Sequence, residues 1–165
     1  MSRPSWVPAA QWTTLTQYAA RYDSYPEVYA AIGWWETHWG QLGAGRQGYI
    51  LGVGVPSSGA EQSQYQGLTA QLNWTAPRVQ TVIDRHPNYA AFLQYAQSVQ
   101  KPSAPVAWAK GVWAVYQTLG APTTAPGGTG SGGGSLTEPA GLSGGITVAL
   151  VAAAAAGLYL VVRGL

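Results

Sequence analysis

Residues 23–40 read Asp-Ser-Tyr-Pro-Glu-Val-Tyr-Ala-Ala-Ile-Gly-Trp-Trp-Glu-Thr-His-Trp-Gly. Asp23 and Ser24 ahead of Pro26 form a helix-start signal, and Glu27 places a negative charge at the positive end of the helix dipole. Val28, Ile32, Trp35 and Trp39 then recur at spacings of four, three and four, which is one stripe of a helix. Gly40 supplies a stop. The segment predicts a helix with one apolar face, closed by an aromatic-rich turn.

The flanking chain repeats the pattern. Pro8 opens a helix to about Arg21. Tyr49-Ile-Leu-Gly-Val-Gly-Val55 is short, β-branched and Gly-interrupted, the pattern of a small strand or hairpin arm. Pro56 to Gln64 is polar loop. A long helix is expected from about Tyr65 to Arg85, with Leu68, Leu72, Val79, Val82 and Ile83 inward and Pro77 as a kink or break. Pro87 opens a helix carrying Tyr89, Phe92, Leu93, Ala96 and Val99. Pro105 opens the last, with Val106, Ala109, Val112, Trp113, Tyr116 and Leu119 inward and Gly120 ending it. The expected fold of residues 1–120 is a small, mainly α domain with one short β or irregular insertion.

Composition narrows the functions open to this chain. Of 165 residues 8 % are charged, against about 25 % in an average globular chain, and the formal net charge is +2. That charge is too small a footprint for binding nucleic acid by phosphate neutralisation. Eight Trp and ten Tyr are the reverse of a disordered composition. With no Cys, disulfide scaffolds and thiolate-held metals are excluded. His38 and His86 alone argue against a His-based metal site. No metal and no cofactor is expected.

After Gly120 the chain changes character. Gly, Pro, Ser and Thr make up 19 of the 25 residues from 121 to 145. Such a stretch cannot bury enough apolar surface to offset its ordering entropy, and it reads as a flexible linker. Residues 146–162, ITVALVAAAAAGLYLVV, carry no charge. As a helix they would span about 26 Å, and Ala140–Gly145 would extend them to the roughly 30 Å of a bilayer core. Tyr159 suits an interfacial position and Arg163 can snorkel. A single transmembrane anchor is therefore expected, with a buried packing helix of a soluble protein as the alternative. Residues 1–20 show no uninterrupted apolar run of a signal peptide, so the head is expected to be made first and the anchor last.

The scarcity of carboxylates allows a search by elimination. Residues 1–120 contain Asp23, Glu27, Glu36, Glu61 and Asp84. Asp23 and Glu27 are explained by the start of a helix, and Asp84 next to Arg85 reads as a solvated surface residue. Glu36 lies at the negative end of its helix beside Trp34, Trp35 and Trp39. The dipole and the indole rings both favour its protonated form, which suits a general acid. The competing reading is a surface Glu bonded to Arg46 or to the Trp39 N–H. His38, two residues on, points away from Glu36 on a helix. Trp35, Trp108 and Trp113 read as core.

Gly33–Gly40 followed by Tyr49-Ile-Leu-Gly-Val-Gly-Val55 resembles the active-site helix and next segment of lysozyme-like peptidoglycan hydrolases. The pattern is similar to that of bacterial and phage β-N-acetylglucosaminidases and goose-type lytic transglycosylases. Tyr65–Leu72 and Val106–Trp113 resemble the following and closing helices, so the likeness spans roughly residues 20–119. It implies an α+β lysozyme-like fold, Glu36 as catalytic acid on a β-1,4 glycan bond, and Tyr49 and Tyr65 in the cleft. Trp39 is expected beside them, because flat sugar faces stack on indoles. Glu61 alone stands in a loop that could face Glu36 as a second catalytic group, but its solvated surroundings favour a surface Glu. If Glu61 takes no part, a single carboxylate suits transglycosylation or assistance by the substrate's N-acetyl group.

With the tail, the resemblance implies a membrane-anchored enzyme of the virion membrane or host envelope, similar to phage lytic proteins. Its expected partners are peptidoglycan strands, the bilayer and other virion proteins, without nucleic acid. A wall-binding or virion structural protein on the same scaffold, with a dispensable Glu36, is the alternative.

Overall fold

The structure is a computed structural model that describes residues 3–56 and 60–120. The expected linker (121–145) and membrane helix (146–162) lie outside the described residues. Among those residues no helix is long and apolar enough to cross a membrane.

The described chain is mainly helical. Its five α-helices are α1 (Ala9–Arg21), α2 (Pro26–Thr37), α3 (Leu68–Val82), α4 (Tyr89–Tyr95) and α5 (Pro105–Thr118). Short 3-10 turns occupy Gly43–Gln47 and Ser63–Tyr65, and a π-helical turn, Ala96–Gln100, continues α4. Among the described residues there is no β-strand, so the strand or hairpin arm expected at Tyr49–Val55 is corrected to an irregular segment. Gly52 and Gly54 adopt φ values of +71° and +78°, which turn the chain out of the extended conformation before a ladder can form.

Helix α2 is the centre of the domain. Pro26 sits in its first turn, where a missing N–H costs nothing. Val28 through Gly33 are all buried, so the helix is enclosed on every side rather than presenting one stripe. Ala30, Ala31 and Gly33 supply the faces that large residues do not, which the stripe pattern alone leaves out. A Cβ at Gly33 would stand 2.6 Å from the Trp39 ring, and that room lets Trp39 fold back over its own helix.

Helix α5 packs more extensively on α2 than any other element does. Gly111 makes this approach possible, because a Cβ there would stand 2.2 Å from ring atoms of Trp35. Along the remaining face of α5, Phe92 and Trp113 rings lie 5.8 Å apart and Trp113 stacks on Tyr116 at 5.6 Å. These spacings fall in the favourable range for aromatic pairs. Ala109, Val112 and Tyr116 are buried as expected, whereas Val106 is 50 % exposed. It stands in the first turn of α5.

The α3 segment starts later than expected, at Leu68, because Gly67 is held at φ +90° with its N–H donated to Gly48 O. Pro77 lies within α3 and does not divide it. Leu72, Val79 and Ile83 are buried, with Leu68 and Val82 partly so. Asn88, rather than Pro87, caps α4, its side-chain oxygen accepting from Ala91 N at 3.0 Å.

Candidate active site around Glu36

Helix α2 ends in an unusual turn. His38, Trp39 and Gly40 take φ values of +48°, +55° and +84°, three consecutive left-handed residues. Only the third is a glycine, so two side chains bear the strain of that conformation. The turn is held by Thr37, whose hydroxyl donates to Ile50 O at 2.8 Å and accepts from Gly40 N at 2.8 Å. Gly45 packs against it, leaving no space for a Cβ 2.5 Å from the Thr37 side chain. The last turn of α2 is thereby tied to the chain entering the irregular segment.

Glu36 sits one residue before this lock. The indole N–H of Trp108, on α5, donates to Glu36 Oε1 at 2.5 Å. The amide of Gln100, at the end of the π-helical turn, donates to the same oxygen at 3.2 Å. Such turns often mark functional positions; here the turn brings a polar amide to a carboxylate. Glu36 Oε2 faces Gly52, where a Cβ would stand 2.5 Å away. Behind Trp108 the Tyr95 ring stacks at 6.1 Å and is itself fully buried.

Burial raises the Glu36 pKa above the ordinary carboxylate value; the bonds from Trp108 and Gln100 oppose this but do not cancel it. The carboxyl therefore holds its proton to higher pH than a solvated Glu, with Oε1 occupied as an acceptor. When the carboxyl is protonated, Oε2, on the Gly52 side, is the oxygen left to carry the proton. This is the state a general acid requires. The alternative partners are otherwise engaged: Arg46 Nε donates to Gln41 O at 2.7 Å, and Trp39 Nε1 donates to Gln11 Oε1 at 2.7 Å.

The irregular segment over Glu36 hangs from Gln71. This side chain is fully buried on α3. Its carbonyl accepts from Leu51 N at 2.5 Å, and its amide lies 3.5 Å from both Gly48 O and Val53 O. One side chain thus stands in for the ladder that a strand partner would provide.

The other expected site residues are distributed as follows. Trp39 is 6 % exposed and packs against Trp6, ring centroids 5.7 Å apart. Tyr49 is 3 % exposed. Tyr65 is partly buried and lies over Gly54, with its ring 2.6 Å from the position a Cβ would take. Glu61 is exposed in the polar loop, and the bonds of the Glu36 carboxyl run to Trp108 and Gln100 instead. His38 is partly buried with its ring 5.1 Å from Trp34. Trp108, read as core, is 4 % exposed and is also the strongest polar contact of Glu36.

Sequence reasoning missed Gln71, Gln100, Tyr95 and Gly52. Gln71 had a signal: with Thr75 and Val79 it shares a spacing of four along the inner face of α3. The others come together only through tertiary packing. Glu27 stands in the first turn of α2, as its sequence position predicts. It is 1 % exposed, and burial raises its pKa against the opposing pull of its own backbone N–H. The helix dipole explains its place in the first turn but not its enclosure.

Among the described residues no group of three His, Asp or Glu could hold a metal ion. Compared with protein-family models, curated proteins and solved structures, the chain matches none.

Proposed function

We propose that the chain is a peptidoglycan-cleaving enzyme with Glu36 as its general acid. The observation that carries this reading is the state of the Glu36 carboxyl: partly buried, raised in pKa, and with Oε1 already accepting two hydrogen bonds. In the reaction Oε2 gives its proton to the glycosidic oxygen as the bond from that oxygen to the sugar C1 breaks. With Glu61 exposed in the polar loop and absent from the bonds of the Glu36 carboxyl, the positive charge at C1 is met by the substrate. Either its 6-hydroxyl closes a 1,6-anhydro ring on C1 and gives its proton to the Glu36 carboxylate, or its N-acetyl oxygen attacks C1 and water then opens the resulting oxazolinium ring, giving its proton to the same carboxylate. Tyr65 is the aromatic whose partial exposure best suits contact with a sugar.

The charge-free run 146–162 supports attachment of the head to a bilayer, and a lytic role at a cell envelope of the kind phages perform. Extraction of the full chain from membranes at alkaline pH tests the attachment; release into the soluble fraction would oppose it.

The decisive experiment is clearance of purified peptidoglycan by the full chain and by Glu36→Gln. Lysis by the parent and a loss of about a thousandfold in the variant, at unchanged melting temperature, is the expected result. Fragment masses then assign the chemistry: a 1,6-anhydro end for a transglycosylase, a reducing N-acetylglucosamine for a glucosaminidase, a reducing N-acetylmuramic acid for a muramidase. The alternative is a wall-binding role without cleavage, with a dispensable Glu36. Retention of the protein on peptidoglycan with no soluble fragments would establish it.

A further inference from the structure

An open concavity lies between α1 and the first turn of α3, and Glu36 is not among the residues that line it. It is an open groove of about 540 Å³, lined by Gln11, Thr14, Gln66, Leu68, Thr69 and Asn73 among others. That volume is within the range of small-molecule sites. None of the residues lining it is charged.

Three of its amides are each fixed at one end by the protein. Gln11 Oε1 accepts from Trp39 Nε1 at 2.7 Å, which leaves the Gln11 NH₂. Asn73 Oδ1 accepts from the Tyr18 hydroxyl at 2.5 Å, which leaves the Asn73 NH₂. Gln66 Nε2 donates to Gln47 O at 2.8 Å, which leaves its carbonyl. The first turn of α3 has no side-chain cap, so its backbone N–H groups add donors at the same place. Thr69 adds a hydroxyl, Thr14 a hydroxyl oxygen whose hydrogen is donated to Ala10 O at 3.2 Å, and Leu68 an apolar wall.

Oriented amide donors and an acceptor, hydroxyls and a small apolar surface, without any Lys, Arg, Asp or Glu, match a neutral ligand rich in hydroxyl and acetamide groups. An anion would find only the helix dipole to balance its charge, and a cation would find no counter-ion. We propose that this groove is a binding site for an uncharged amino-sugar chain, separate from the Glu36 site. The proposal stands whether or not Glu36 cleaves glycans.

The test uses the full chain carrying Glu36→Gln, so that cleavage cannot consume the probe. An N-acetylglucosamine tetramer is titrated while the side-chain NH₂ signals of Gln11 and Asn73 are followed by NMR. Saturable shifts at both are expected. Thr69 is exposed, so Thr69→Trp fills the groove without opening the core and is expected to weaken binding at least about tenfold. Asn73→Ala is expected to weaken it several-fold at an unchanged melting temperature. Absence of shifts at these amides up to about 10 mM probe would overturn the proposal. So would binding that Thr69→Trp leaves within about twofold, or a tighter fit for a galacturonic acid tetramer.

Discussion

The Trp108 indole N–H donates to Glu36 Oε1 across 2.5 Å, between residues 72 positions apart in the chain. The bond favours the charged form of the carboxyl and so works against burial, which favours the neutral form. Trp108→Phe keeps an aromatic ring against Tyr95 and removes only the donor. The Glu36 pKa is expected to rise further, read directly from the pH dependence of its carboxyl ¹³C shift. If Glu36 is the general acid, the alkaline limb of the rate profile moves to higher pH as well. A downward movement would contradict this account of the bond.

Gly52 is bound to its identity twice, by φ of +71° and by the nearness of Glu36 Oε2. Gly52→Ala is expected to cost about 2–4 kcal/mol in chemical denaturation, from backbone strain and steric conflict together. Adding Glu36→Ala removes the conflict but not the strain, so the pair should be non-additive, with the double variant less destabilised than the two single effects predict. Simple additivity would mean that the carboxyl does not press on this glycine.

Gln71→Leu keeps the volume of the buried side chain and removes its polar atoms. Leu51 N–H and the carbonyls near the amide would lose their partner, at a cost of about 2–3 kcal/mol. Hydrogen exchange should show the loss first at the Leu51 amide, well before the helices open.

Glu27 and Glu36 both have folded-state pKa values above the ordinary 4.5. The folded protein therefore holds protons that the unfolded chain releases. Their contribution to stability is complete below pH 4.5 and declines as the pH rises through the raised folded values. Stability should fall with rising pH across that window. Glu27→Gln removes one ionisation, and is expected to flatten the decline and raise neutral-pH stability by about 1 kcal/mol. Urea unfolding from pH 4 to pH 8 measures both effects.

The sequence was most legible where local chemistry decides the outcome. Pro26 and Pro105 mark the starts of α2 and α5, and the helical pattern of α1 runs from Ala9 to Arg21 as read. Glu36 stood out because carboxylates are few and its neighbours are indoles, and its raised pKa agrees with that reading. Legibility failed where the partner is distant. Nothing around Trp108 announces that its N–H meets a carboxyl. The β-branched Tyr49–Val55 reads as a strand because its residues suit one, but glycine geometry and the Gln71 amide override that preference. Glu27 shows the same limit, since a charge in a first helical turn is ordinary until a core closes around it.

The contact between Gly111 and Trp35 reaches beyond packing. Gly111 is three residues from Trp108 on α5, and Trp35 adjoins Glu36 on α2. The depth at which these two helices nest therefore governs how near the indole N–H comes to the carboxyl. A methyl group at Gly111 would press the two helices apart and lengthen the bond that draws the Glu36 pKa down, from a position that itself carries no polar side chain and no charge.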